Sequence, residues 1–260
     1  MQYNVTVLVK QLLLTYDTKS RMTKKLTTTI EEVKDILGTG NVFGSDEWLK
    51  FLPQMMSPSD TRLTKVSDIP WPKSILIDPK TLCKENLKEH FLFLGMDTTS
   101  SGVKLNLFNW LSICQKGFSN ISNGPKFSNP AALRNFYQKD WGAPAPIGAN
   151  RIHYTVRTCE FRWYFMPKNV LESSIDKPEV HQPSEYAIAE AIEVVTANIL
   201  YFLINHEYMH MTTQIARTKS VSVSNYGQNI CVWSDQDGLT AGTLQPGKYP
   251  GAALWREESM

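Results

Sequence analysis

Residues 181–218 read HQPSEYAIAEAIEVVTANILYFLINHEYMHMTTQIART, and the fold class turns on them. Ser184 suits an N-cap, and Ile188, Ile192, Val195, Ile199 and Leu203 fall along one stripe at helical spacing. The pattern predicts a helix of about thirty residues, the longest in the chain and the centre of a mainly α fold. Late in that helix, His206-Glu207-Tyr208-Met209-His210 matches HExxH. On a helix this spacing sets two imidazoles on one face, with Glu207 placed as the base that polarises a zinc-bound water. A third protein ligand is not evident. No histidine follows His210, and Asp235, Asp237 and Glu257 sit in no familiar spacing. The metzincin extension would need glycine at Thr213 and histidine at Ala216. A zinc metallohydrolase using His206 and His210 is therefore the alternative reading, not the leading one.

Two shorter helices are indicated upstream. In IDPKTLCKENLKEHFLFLG, Asp78 fits an N-cap, Pro79 the first turn and Gly95 the stop, with Leu82, Leu87, Phe91 and Leu94 as an apolar face. VKLNLFNWLSICQKG places Val103, Leu107, Trp110, Leu111 and Cys114 at helical spacing before Gly117. TTTIEEVKDILG reads as a further short helix closed by Gly38, and AALRNFYQK as another. Residues 3–16 alternate loosely and suggest a strand near the N-terminus. IHYTVRTCEFRWYF fits either a strand or a buried helix, because a run this apolar has no decisive period. The expected organisation is an N-terminal arm over 1–74, a helical core over 75–217 and an extended C-terminal arm over 218–260.

The strongest chemical signal lies at 126–168, KFSNPAALRNFYQKDWGAPAPIGANRIHYTVRTCEFRWYFMPK. Lys126, Arg134, Lys139, Arg151, Arg157, Arg162 and Lys168 face only Asp140 and Glu160, a balance of +5 in a chain of net charge +2. Nine aromatic residues are interleaved with that charge, among them Tyr137 and Trp163. Cations track a phosphodiester backbone and flat rings stack on bases. Arg134, Lys139, Arg151, Arg157 and Arg162 are the candidate phosphate contacts, and Tyr137 and Trp163 the candidate stacking rings. An ordinary core strand and helix with arginines reaching solvent would give the same composition.

Other classes are disfavoured. No apolar run reaches the ~18 residues of a membrane span. The start, MQYNVTVLVKQLLLTYDTK, lacks the pattern of a signal peptide. Cys83, Cys114, Cys159 and Cys231 have no CxxC spacing, so reduced buried thiols are expected. Walker, GxGxxG and GxSxG motifs are absent. No cofactor is expected.

The order of features over about residues 75–200 resembles the coat proteins of flexible filamentous plant RNA viruses of the potexvirus and closterovirus type. KEHFLFLGM ends one helix and NWLSICQKG forms the next. A serine-rich loop, the Leu133-Arg134-Asn135-Phe136 helix, the loop APAPIGANR, the cluster CEFRWYF and QPSEYAIAEA follow. The family pattern has phenylalanine-aspartate in the aromatic cluster, where this chain reads Glu160-Phe161-Arg162-Trp163. The resemblance implies a mostly helical core with docking arms, a groove for single-stranded RNA contacted by Arg134 and Arg151, assembly of copies into a helical filament, and a place in the virion and the host cytoplasm. A matrix-type self-assembling adaptor is a second alternative.

Overall fold

The computed structural model describes residues 28–66, 69–76, 89–118, 123–128, 156–210, 215–221, 228–244 and 249–257. Their fold is mixed α/β, with 33% helix and 27% strand, and this corrects the mainly α expectation.

Six helices are found among the described residues: α1 (Ile30–Leu37), α2 (Ser45–Phe51), α3 (Thr61–Lys65), α4 (Lys73–Leu76), α5 (Leu107–Lys116) and α6 (Ala191–Asn205). Eight strands accompany them: β1 (Val42–Phe43), β2 (His90–Leu94), β3 (Trp163–Pro167), β4 (Tyr186–Ile188), β5 (Ala216–Val221), β6 (Asn229–Asp235), β7 (Gly238–Gly242) and β8 (Leu254–Arg256). One sheet runs β1-β2-β3-β8-β4, and the other β5-β6-β7. Only β1 and β2 pair in parallel; the other named pairs are antiparallel. The second sheet is stitched to the first through β5. Arg217 N–H donates to the Gly251 carbonyl, Ala253 N–H to the Arg217 carbonyl, and Lys219 N–H to the Ala189 carbonyl.

Two sequence-local helices form as their end signals dictate. In α1 the Thr29 side chain accepts from Glu32 N–H while Glu32 accepts from Thr29 N–H, a reciprocal cap, and Gly38 at φ 91 closes the helix. Asn106 caps α5 by accepting from Asn109 N–H. Where helical pattern meets a distant partner, the partner wins. Phe91 to Leu94, expected on a helix face, lie in β2 with all five of its residues buried. A strand covered on both faces shows no alternation, so it reads like a buried helix. Asp78 to Leu87 lie outside the described residues, as does AALRNFYQK.

The central helix is shorter at both ends than its apolar stripe. Tyr186, Ala187 and Ile188 pair with Arg256, Trp255 and Leu254, so the chain stays extended past Ser184 and the cap falls on Glu190. At the other end His206 adopts φ 61, and its N–H closes on the Phe202 carbonyl. Asn205 has turned its amide to the Gly40 carbonyl at 2.8 Å. The α6 helix is buried almost all round, as befits one wedged against both sheets.

The regions read as arms carry core residues. Val33, Leu37, Phe43, Trp48 and Leu52 before α3, and Ile230, Val232, Leu239 and Trp255 after residue 218, join one apolar cluster. Tryptophan indoles tie distant parts together: Trp48 donates to Leu94 O, Trp71 to Glu257 O and Trp110 to Thr196 Oγ1. Arg62 clamps α3 to the turn after β2. It grips both Asp60 oxygens at 3.0 and 2.8 Å, and Asp97 Oδ1 at 2.9 Å. That grip holds the Asp60 carboxyl well below the usual carboxylate range. No described helix is long and apolar enough to cross a membrane.

Candidate functional site

Segment 156–162 enters the sheet just before β3 and is fixed at its start by the Asn106–Thr158 bridge. It delivers Arg157, Cys159, Glu160 and Arg162 to the head of α6, where β5 adds Lys219 and Ser220. Glu190 is the hub. Its Oε1 pairs with Arg157 and lies 3.7 Å from Lys219 Nζ, while Ser220 Oγ donates to its Oε2 at 2.5 Å. The same hydroxyl accepts from Ala191 N–H at 2.9 Å. Glu193 sits one turn on, 6% exposed, and its Oε2 accepts from Glu190 N–H at 2.7 Å. Burial pushes the Glu193 carboxyl up to about 7 against the hydrogen bond from Glu190 N–H and the charges of Lys219 and Arg162, which favour the ionised form, while the Glu190 carboxylate adds repulsion.

Cys159 is buried beside these groups, its thiol directed at the Ile192 carbonyl. Burial, reinforced by Glu193, holds that thiol far above its ordinary range. It is therefore no nucleophile at neutral pH. The arrangement can hold and release a proton at Glu193.

Arg162 is engaged by its own neighbourhood. Its guanidinium lies 4.1 Å from the Trp255 ring and 5.0 Å from the Tyr164 ring, with Nε 3.4 Å from Glu160 Oε2. Trp163 is 3% exposed, and its ring packs against Gly44 rather than standing open to a base. Arg157 is held by Glu190. Arg134, Tyr137, Lys139 and Arg151 lie outside the described residues. The residues just before them are anchored. Phe127 bridges Leu239, and Leu239 N–H donates to the Lys126 carbonyl. Lys126 N–H donates to Tyr208 Oη at 2.8 Å, and that hydroxyl donates back to the Lys126 carbonyl at 2.9 Å. The Lys126 side chain is left exposed.

HEYMH does not lie on a helix, because α6 stops at Asn205. His206 and Glu207 are exposed, whereas His210 is fully buried, so the two rings share no face. The Glu207 carboxylate accepts from Tyr201 Oη at 3.2 Å. His210 N–H donates to Asn198 Oδ1, which leaves the Asn198 amide group facing Nδ1 at 2.9 Å. Nδ1 is thus the acceptor, and Nε2 carries the proton without a partner among the described residues. Burial lowers His210 to about 4. No group of three or more His, Cys, Asp or Glu residues among the described ones is arranged to hold a metal ion.

Sequence reasoning missed Glu190, Glu193, Lys219 and Ser220. Glu190-Ala191-Ile192-Glu193 did carry a signal, since an acid three residues past the cap ahead of an apolar run marks a helix start. The chain matches no protein-family model, no curated protein and no solved structure.

Proposed function

We propose that this protein is a non-enzymatic structural protein that binds single-stranded RNA without sequence preference, through the span from Lys126 to Arg151, and self-assembles along it. The observation that supports this reading is how the positive charge is distributed along the chain. Arg157 is taken by Glu190, and Arg162 by Glu160 and two rings. The span Lys126, Arg134, Lys139 and Arg151, with only Asp140 opposing in sequence, carries +3. Lys126 itself is pinned by its backbone while its ammonium reaches solvent. Phosphate neutralisation supplies such affinity, with Tyr137 as the candidate stacking ring. The zinc-hydrolase alternative gains no support from an exposed His206 and a buried His210.

The test is anisotropy of a labelled single-stranded RNA titrated with protein over a range of salt. The slope of log affinity on log salt is expected to fall by about 2 in the Arg134→Ala/Lys139→Ala/Arg151→Ala variant, at roughly 0.7 for each phosphate no longer neutralised. Arg157→Ala is expected to leave the slope unchanged. An unaltered slope in the triple variant, or no binding by the parent protein, refutes the reading.

A further inference from the structure

Glu190 and Glu193 belong to the same reciprocal cap, yet their surroundings divide unevenly. Glu190 has Arg157, Lys219 and Ser220 on its two oxygens. Glu193 is nearly sealed from solvent and has no cation within ion-pair distance among the described residues. Its carboxylate accepts from the Glu190 N–H. Two carboxylates on one buried helix end, with the positive charge gathered on one of them, cannot both be charged without cost.

We propose that Glu193 is a proton-operated latch: it holds a proton while the head of α6 is docked against segment 156–162 and β5, and losing that proton loosens the joint. The groups facing it make the direction clear. Lys219 comes from β5, Cys159 and Arg162 from segment 156–162, Tyr164 from β3, and Glu190 from its own helix. Lys219 Nζ lies 3.7 Å from Glu190 Oε1. Arg162 lies against the Trp255 and Tyr164 rings. Cys159 and Tyr164 offer no positive charge. A protonated Glu193 keeps its bond from Glu190 N–H through the carbonyl oxygen and sheds the repulsion. An ionised one confronts Glu190 across a single turn. The elements at risk are those joined there: Cys159 to Ile192, Arg157 to Glu190 and Ser220 to Ala191.

Burial gives the sign. A carboxyl raised in the docked state to about 7 gives up docking stability as pH climbs from its ordinary 4.5 through 7. The experiment has two arms on the full chain. Carbon-13 NMR of the glutamate side-chain carboxyls is expected to show Glu193 titrating near neutrality. Hydrogen exchange of amides 156–162 and 189–194, corrected for intrinsic rate, is expected to show opening rising at least about tenfold between pH 5 and pH 8. Glu193→Gln is expected to abolish that rise. A Glu193 carboxyl that titrates like a solvent-exposed glutamate overturns the proposal, and so does the same rise in Glu193→Gln. If Glu193→Gln fails to fold, the carboxyl titration of the unmodified protein decides alone.

Discussion

His90 offers the sharpest test of the packing. It lies in β2, 0% exposed, stacked on Phe165 with ring centroids 4.5 Å apart. Neither ring nitrogen has a hydrogen-bond partner among the described residues. Burial, with Arg256 and Lys168 nearby, lowers it from 6.5 to about 3. A base depressed in the folded state contributes its full stability above pH 6.5 and loses it as pH falls towards 3. At about pH 4.5 the unfolded imidazole is charged and the folded one is not, which costs on the order of 2–3 kcal/mol. His90→Phe keeps a flat ring against Phe165 and removes the titration. Urea unfolding followed by tryptophan fluorescence, near pH 7.5 and near pH 4.5, measures the difference. The variant is expected to gain roughly 2–3 kcal/mol on the parent between the two conditions. Misfit of the larger ring costs about 1–3 kcal/mol equally at both, so it cancels. Glu193, which gains stability on acidification, acts alike on both proteins and cancels too. Equal pH dependence of parent and variant would refute the account, because His90 would then be solvated or hydrogen-bonded.

Two further substitutions probe the joints. Asn198→Ala strips His210 of the partners for its N–H and its Nδ1 in a fully buried place; a loss of about 2–4 kcal/mol is expected in urea unfolding, and a loss below about 1 kcal/mol refutes the bonding scheme. Gly238→Ala places a Cβ 2.5 Å from the Lys126 carbonyl oxygen at φ 131, where an L side chain is strained. A lower Tm is expected, together with faster proteolysis around 123–128, and an unchanged Tm with unchanged cleavage contradicts the contact.

What could be read from the sequence was local. The TTTIEEVKDILG helix closed by Gly38, and the spacing of Leu107, Trp110, Leu111 and Cys114 before Gly117, are set within a few residues of themselves, and those helices appear, the second starting at Leu107 rather than at Val103. The strands answer to partners far along the chain. Nothing near Tyr186 announces that Leu254 to Arg256 will lie beside it, so Ser184 looked like a cap. His90 to Leu94 lost its strand signature to burial on both faces. HEYMH depended on the helix running through it, and a left-handed His206 removed that condition. Of the site, the cationic stretch was visible. Which cations would meet Glu190 depended on the placing of β5 and segment 156–162, and no spacing in the chain encodes that.

Strand β8 sits between β3 and β4, in the interior of its sheet. In sequence, 87 positions separate Pro167 from Leu254. During synthesis at about 5–20 residues per second, the open edge of β3 waits roughly 4–17 s for its neighbour. Throughout that interval a strand made of Trp163, Tyr164, Phe165 and Met166 lacks the lid it has in the finished fold. An apolar strand edge open for that long is exposed to mispairing with other chains. The interior place of β8 thus makes completion of the sheet the last step of synthesis as well as a matter of the folded state's stability.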